Sequence, residues 1–273
     1  MMKTNTHKLY LSLVFMLVSF QSVAIINDEF PVRKLYPAVP VISLEDFHNQ
    51  FNKVIVVDVR SAYEFETLRI VGAINIPLAS SSFIDDMKKL RNANPNRKII
   101  VYCNGKTCKK SYKATQRCRD KNIGNVIAFD AGIFDWTKKY PGKAVLLGKT
   151  PADPAKLISK SDFRKKLRAP DDFEKLMLND NTLVLDIRDG FQREAISLFP
   201  GVERRVSLDD RVKLNNYITK AARQNQTLLI YDAAGKQVRW LMYYLESKGV
   251  KNYKFMKGGA NAYFKNLRKQ FVQ

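Results

Sequence analysis

The chain has 273 residues, which allows two domains of ordinary size. Hydrophobic residues make up 45% of it and charged residues 27%, with 12 Gly and 10 Pro, and these values exclude a collagen-like, low-complexity or wholly disordered chain. Three Cys exclude a scaffold built on disulfides, and the formal net charge of +21 makes the chain strongly basic.

Residues 1–24 have the pattern of a secretory signal. Lys3 and Lys8 precede an apolar run over 9–20, and the small residues of 22–24 resemble a cleavage site. The apolar run is short for a membrane span, although an uncleaved anchor is the alternative. We therefore expect a periplasmic protein that contacts the membrane only through this segment, if the segment is uncleaved.

The basic excess is spread over both halves of the chain and is not confined to a tail. Such a charge often indicates nucleic acid as the partner. An exported chain meets little nucleic acid, so we expect none as a partner. A solvated basic surface that attracts small anions is the favoured interpretation.

Strands and helices alternate along the first half. Ser43 is a residue type that caps helices, so a short helix is predicted to open there. Apolar and β-branched runs predict buried strands, and the segments between them predict helices. The predicted strands are 54–57, 98–102 and 126–129, and the predicted helices are 83–90 and the segment from the Cys108 region to about 121. This order is typical of an α/β fold with a mainly parallel sheet.

The second half repeats three landmarks of the first, in the same order and at nearly equal spacing. The paired segments are 54–60 with 182–188, 99–103 with 228–232, and 126–132 with 253–259. Such internal similarity predicts a duplicated domain. Asp232 stands where the first repeat has Cys103, so the second repeat lacks the thiol.

The segment that begins at Cys103 is the clearest candidate site. A loop that contains Gly105 and leads from a buried strand into a helix can turn backbone N–H groups inward and hold an anion. The helix N-terminus and the basic residues of 106–121 favour a thiolate, and cysteines in such settings have pKa values of roughly 3.5–7.5 instead of about 8.5. The alternative is a buried cysteine that acts only as a small apolar residue.

The ordered motifs of the first half resemble the rhodanese family of sulfurtransferases. They are Asp58-Val59-Arg60 with Glu64, the Gly72–Pro77 segment, the Cys103 loop and Gly132–Trp136. The resemblance is weaker over the second half. It implies two tandem rhodanese-like domains, 41–145 (active) and 155–270 (inactive), each a mainly parallel sheet flanked by helices.

The resemblance also implies a mechanism. Cys103 would take the outer sulfur of a small anionic donor such as thiosulfate, become a persulfide, and pass the sulfur to a thiol or cyanide-type acceptor. No metal or organic cofactor is implied, and an ion pair between Asp58 and Arg60 is expected to hold the loop scaffold. The positions expected to bind substrate are Asn104, Gly105, Lys106, Thr107, Cys108 and Lys109.

Three departures from the family pattern leave the substrate preference open. Leu68-Arg69 stands where many members have Gly-His, Gly105 follows Cys103 by two residues where three is common, and Cys108 closes the loop. A phosphatase of related fold is not expected, because Lys109 occupies the position where such enzymes need the planar fork of an arginine.

Cys103 and Cys108 also allow a redox interpretation. Five residues apart across a loop, they can form a disulfide, or Cys108 can resolve a persulfide on Cys103. The chain would then be a periplasmic thiol redox or sulfur-relay protein with a protein thiol as partner. The simpler interpretation makes Cys108 only a small residue at the helix start. Cys118 lies about 15 Å further along that helix and cannot pair with Cys108.

Overall fold

The structure is a computed structural model that describes residues 29–189 and 197–271. The predicted signal segment, 1–24, lies outside the described residues. None of the helices within the described ranges is long and apolar enough to cross a membrane.

Strands and helices alternate throughout the described chain. The strands are β1 (Ile55–Asp58), β2 (Leu68–Ile70), β3 (Ile74–Asn75), β4 (Ile99–Tyr102), β5 (Val126–Phe129), β6 (Ala144–Leu146), β7 (Leu167–Arg168), β8 (Thr182–Asp186), β9 (Glu203–Arg205), β10 (Thr227–Tyr231) and β11 (Tyr253–Met256). The helices are α1 (Leu44–Asn49), α2 (Ala62–Thr67), α3 (Phe83–Ala93), α4 (Lys110–Arg119), α5 (Gly132–Lys139), α6 (Lys160–Lys166), α7 (Pro170–Met177), α8 (Arg211–Arg223), α9 (Val238–Ser247) and α10 (Gly259–Phe271).

The first sheet has the order β3-β1-β4-β5, and its paired strands are parallel. Every residue of β1 and β4 is buried, as expected for strands covered on both faces. Successive side chains point to opposite faces, so Val56 packs into the core on one side of the sheet and Val57 into the core on the other. Val41 extends the far edge by a parallel bridge to Ala128.

The second sheet has the order β7-β11-β10-β8-β9, and its pairs are also parallel. Read from β9, this order follows the same pattern as the first sheet read from β3, with β7 in the place of the bridging Val41. The predicted fold class, α/β with mainly parallel sheets flanked by helices, is therefore confirmed.

Local signals in the sequence position several helix starts correctly. Ser43 caps α1, and its side chain accepts a hydrogen bond from the Asp46 N–H, as predicted. Ser61 and Glu64 form a reciprocal capping box at the start of α2. The antiparallel pairing of β2 with β6 was not predicted from the sequence, because both strands are three residues long and lie far apart along the chain.

Side chains of the second half pack directly on elements next to β1. Trp240 of α9 stacks on Phe134 of α5 with ring centroids 5.7 Å apart, and its ring lies 5.1 Å from the guanidinium of Arg60. Arg211 of α8 lies over the ring of Tyr63 at 4.2 Å. The second half thus covers the elements that hold the Cys103 loop.

Candidate active site

Cys103 follows β4 directly, and its side chain is fully buried. Its sulfur lies 3.6 Å from the Ser111 hydroxyl oxygen in the first turn of α4. Since α4 begins at Lys110, the sulfur lies at the positive end of this helix. The predicted order of buried strand, short loop and helix is confirmed.

Cys103 is joined to Cys108 by a disulfide in this structure. Their Cα atoms are 6.5 Å apart, within the usual span of a disulfide. Cys108 is partly exposed, whereas Cys103 is not exposed at all. Cys118 is a free and buried thiol, and burial raises its pKa to about 12.

The start of α5 packs against the backbone of the Cys103 loop. The Ile133 N–H donates to the carbonyl of Cys103 at 3.0 Å. Gly132 has φ +69°, and a Cβ there would lie 2.4 Å from the backbone nitrogen of Gly105. Only glycine fits such an approach, so the Gly132 segment sets the position of the loop.

Asp58 and Arg60 form a fully buried ion pair at the end of β1. The Arg60 Nε and Nη2 donate to the Asp58 carboxylate, and Nη1 donates to the side-chain oxygen of Asn104 at 3.2 Å. The expected ion pair is confirmed, and it links β1 to the second residue of the loop.

Glu64 completes the support of Asn104. The Asn104 amide donates to the Glu64 carboxylate at 3.0 Å, and the Lys110 ammonium lies 3.4 Å from the same carboxylate. Burial opposes the charge of Glu64, but Arg60, Lys110 and these hydrogen bonds lower its pKa below the ordinary value. The side chain of Asn104 is therefore engaged by the scaffold.

The lysines near the loop differ in their partners. Lys106 forms ion pairs with Glu29 and with Asp135, so two carboxylates compensate its charge. Lys109 is the N-cap residue of α4, is exposed, and has no carboxylate partner within 29–189 and 197–271. Thr107 is also exposed. The substrate-binding roles of these positions stay predictions.

A cleft of about 520 Å³ opens beside the loop. Lys106 lines it together with Arg33 and Asp130, which are joined by a hydrogen bond of 2.7 Å. Cys103 is not among the described residues that line this cleft. The candidate nucleophile therefore lies under the loop and not on the cleft wall.

Comparison with known proteins shows which family the first half of the chain resembles. Residues 43–139 match the family model of the rhodanese-like domain. The chain contains a rhodanese-like domain. This domain holds Cys103, the ion pair of Asp58 with Arg60, and the Gly132 contact.

Two curated relatives align with part of the chain. A putative sulfur carrier protein of Bacillus subtilis is 29% identical over 105 residues, which cover 37% of this chain and 53% of that protein. An HTH-type transcriptional regulator of Mycobacterium tuberculosis is 33% identical over 84 residues, which cover 31% of this chain and 34% of that protein. The chain thus spans about half of the first relative and a third of the second.

Solved structures of sulfurtransferases are similar to the chain at low identity. A thiosulfate sulfurtransferase from Pseudomonas aeruginosa is 19% identical, with a TM-score of 0.36, over 85% of this chain and 45% of that one. A human single-domain sulfurtransferase is 21% identical, with a TM-score of 0.30, over 37% of this chain and 97% of that one.

The loop after β10 is the counterpart of the Cys103 loop outside the rhodanese-like domain. The Asp232 carboxylate accepts hydrogen bonds from four backbone N–H groups of its own loop, those of Ala234, Gly235, Gln237 and Val238. A Cβ on Gly259 would meet the Asp232 carbonyl, just as one on Gly132 would meet the Cys103 loop. Backbone N–H groups of this second loop therefore turn inward and are occupied by the carboxylate of Asp232, whereas the anion cradle predicted for the Cys103 loop stays a prediction.

Proposed function

We propose that the chain is a sulfurtransferase in which Cys103 carries sulfane sulfur from a donor such as thiosulfate to a thiophilic acceptor. One observation carries the proposal: a cysteine follows a buried strand of a rhodanese-like domain and lies at the N-terminus of α4. The positive end of the helix favours the thiolate that this chemistry needs.

The reaction divides into two nucleophilic steps. The Cys103 thiolate attacks the outer sulfur of thiosulfate, a new sulfur–sulfur bond forms, and sulfite leaves with the electron pair of the broken bond. An acceptor such as cyanide then attacks the outer sulfur of the persulfide, and the Cys103 thiolate leaves. No net oxidation of the protein occurs in this cycle.

The disulfide state cannot begin this cycle, because the sulfur of Cys103 is bonded to Cys108 and is buried. Reduction of the pair is therefore the first requirement for activity. The Cys108 N–H donates to the Gly105 carbonyl at 2.7 Å, so the loop is closed on itself in this state. In the proposal, reduction lets the N–H groups of the Cys103 loop turn inward, as those of the loop after β10 do around the Asp232 carboxylate.

Turnover of thiosulfate with excess cyanide tests the proposal. We expect the chain, kept reduced by a dithiol, to release sulfite and to form thiocyanate, and Cys103→Ser to form neither. Cys118→Ala is the matched control, because it removes the free cysteine in the core and leaves the loop intact. Turnover by Cys103→Ser would overturn the proposal.

The second half is proposed to be a silent domain of the same kind. Its strand order, the ion pair of Asp186 with Arg188 and the Gly259 contact match the first half, while Asp232 supplies no sulfur nucleophile. Its role in the proposal is structural, since Trp240 covers Arg60. Loss of turnover in Asp232→Asn with the fold intact would contradict this assignment.

Export to the periplasm is part of the proposal. The basic start and the apolar run over 9–20 support it. Expression of the full chain in a bacterium, followed by fractionation and N-terminal sequencing, should find a periplasmic protein that begins near residue 25. Recovery of an uncleaved chain in the cytoplasm would exclude this part of the proposal.

Thiol redox or sulfur relay is the second candidate function, and the disulfide between Cys103 and Cys108 favours it. The two candidates differ in their need for Cys108. If Cys108→Ser retains full turnover with cyanide, the simple transferase is sufficient. If Cys108→Ser accepts sulfur but no longer turns over with a protein thiol as acceptor, the relay is required.

A further inference from the structure

The disulfide joins a buried sulfur to an accessible one. Cys103 lies in the core on one face of the first sheet, in the same buried cluster as Ala114 and Val101. Cys108 is partly exposed and is followed by the exposed Lys109 at the start of α4. The two sulfurs therefore differ in what can reach them, and access decides which sulfur of a disulfide is attacked.

We propose that Cys108 is a resolving thiol that releases the transferred sulfur as hydrosulfide. This inference rests on the proposed function of Cys103 as the sulfur acceptor. The disulfide shows that the sulfur of Cys108 reaches the sulfur of Cys103, which is the inner atom of the proposed persulfide. Attack at that atom needs no other residue to move into the site.

The step balances within the loop. The Cys108 thiolate attacks the inner sulfur of the Cys103 persulfide, and a bond forms between the two cysteine sulfurs. The bond to the outer sulfur breaks, and that sulfur leaves with the electron pair as hydrosulfide. The two thiols are oxidised to a disulfide, and the sulfane sulfur is reduced to sulfide. With thiosulfate as donor, the products are sulfite and hydrosulfide.

The loop after β10 has no disulfide, and it supports the same placement of the residue five positions after the strand end. Gln237 follows Asp232 by five residues, as Cys108 follows Cys103. The Gln237 N–H donates to the Asp232 carboxylate. The fifth position therefore lies against the side chain of the strand-end residue in both loops, so the loop path itself brings a cysteine at position 108 to Cys103.

A dithiol reductant must restore the thiols after each release. Because Cys108 is the more exposed partner, the first thiol of the reductant attacks the sulfur of Cys108, and Cys103 leaves as a thiolate. The N-terminus of α4 stabilises the departing thiolate. The second thiol of the reductant then frees Cys108. This order frees Cys103, the proposed sulfur acceptor, before it frees Cys108.

A single-turnover experiment tests the resolving step. The reduced chain is freed of reductant and given one equivalent of thiosulfate, and sulfite, hydrosulfide and intact mass are measured. We expect equal amounts of sulfite and hydrosulfide, and an intact mass of the chain that is lower than that of the reduced chain by two hydrogens. Cys108→Ser should release sulfite only and keep one added sulfur. Cys118→Ala should behave like the natural chain.

The outcomes separate the two proposals. Sulfite without hydrosulfide in the natural chain, with one sulfur retained, overturns the resolving role and leaves the sulfurtransferase standing. Absence of sulfite in the natural chain and in Cys108→Ser overturns both. Hydrosulfide release by Cys108→Ser without added thiol also overturns the resolving role.

The order of reduction is tested with a monothiol. The oxidised chain is treated briefly with glutathione, quenched and digested with trypsin, which cuts after Lys106 and separates the two cysteines. We expect glutathione on the peptide 107–109, which holds Cys108. Glutathione on the peptide 99–106, which holds Cys103, would reverse the order.

Discussion

Gly132→Ala is the substitution that most directly probes how the Cys103 loop is positioned. A Cβ at this residue would lie 2.4 Å from the nitrogen and 2.5 Å from the Cα of Gly105. The loop backbone would have to withdraw by about 1 Å to reach an ordinary contact of 3.4 Å. Such a displacement of a reacting group lowers an enzymatic rate by about 100-fold.

Two contributions to the free energy of unfolding are expected. Alanine at φ +69° is strained by roughly 1–2 kcal/mol. Overpacking against Gly105 adds about 1–3 kcal/mol. Gly148→Ala separates backbone strain from overpacking, because Gly148 has φ +78° but a Cβ there meets no atom within 4 Å.

The assay compares the variants by urea unfolding and by the rate of sulfite release from thiosulfate. Gly148→Ala should lose about 1–2 kcal/mol of stability from strain alone and keep the rate of the natural chain. Gly132→Ala should lose more stability and about 100-fold in rate. Equal stability and equal rates in the two variants would refute the positioning role of the Gly132 contact.

Three further predictions concern the buried charges. Arg60→Lys keeps the charge but loses the fork that donates to both Asp58 and Asn104, so urea unfolding should show a loss of about 2 kcal/mol, the scale of a hydrogen bond to a charged group. A loss below about 0.5 kcal/mol would contradict this role of the fork. The lowered pKa of Glu64 means that its charged form stabilises the fold above pH 4.5, the ordinary value, and that this contribution is lost as the pH falls through the folded pKa. The stability deficit of Glu64→Gln should therefore be largest at neutral pH and should narrow below pH 4.5, and a deficit that does not change with pH would exclude this role. Asp232→Gly empties the cradle and leaves its N–H groups unpaired, so it should lower stability by about 2 kcal/mol, and sulfate should raise the melting temperature of the variant more than that of the natural chain. An equal rise in melting temperature with sulfate in the two proteins would refute the conclusion that this loop can hold an anion.

Local sequence signals predict the parts of the site that depend on neighbours in the chain. The end of β4, the loop and the start of α4 follow from a buried apolar run, a glycine and a helix pattern within twenty residues. The pair of Asp58 with Arg60 is separated by one residue, so its geometry is local as well. The Ser43 cap belongs to the same class of signals.

Contacts between distant segments decide the rest. Lys106 was expected to attract the donor, but its ammonium pairs with Glu29, 77 residues away along the chain, and with Asp135. Trp240 reaches Arg60 from the second half. No residue pattern near Lys106 or Arg60 encodes these partners, because they depend on how the sheets and helices pack.

For a related reason, the sequence alone does not determine whether Cys103 and Cys108 form a disulfide. A spacing of five residues fits many loop paths, and a disulfide requires a narrow range of Cα separations. The path is set by the contact with Gly132 and by the hydrogen bond from the Ile133 N–H, both of which come from the segment after β5. That segment lies about thirty residues further along the chain.

Locating the transferred sulfur tests the central claim most directly. Reduced Cys108→Ser is treated with thiosulfate, alkylated and digested with trypsin, and the peptides are weighed by mass spectrometry. We predict one additional sulfur on the peptide 99–106, at Cys103, and none in Cys103→Ser. Absence of the added sulfur, or its presence on another residue, would contradict the assignment of Cys103 as the sulfur acceptor.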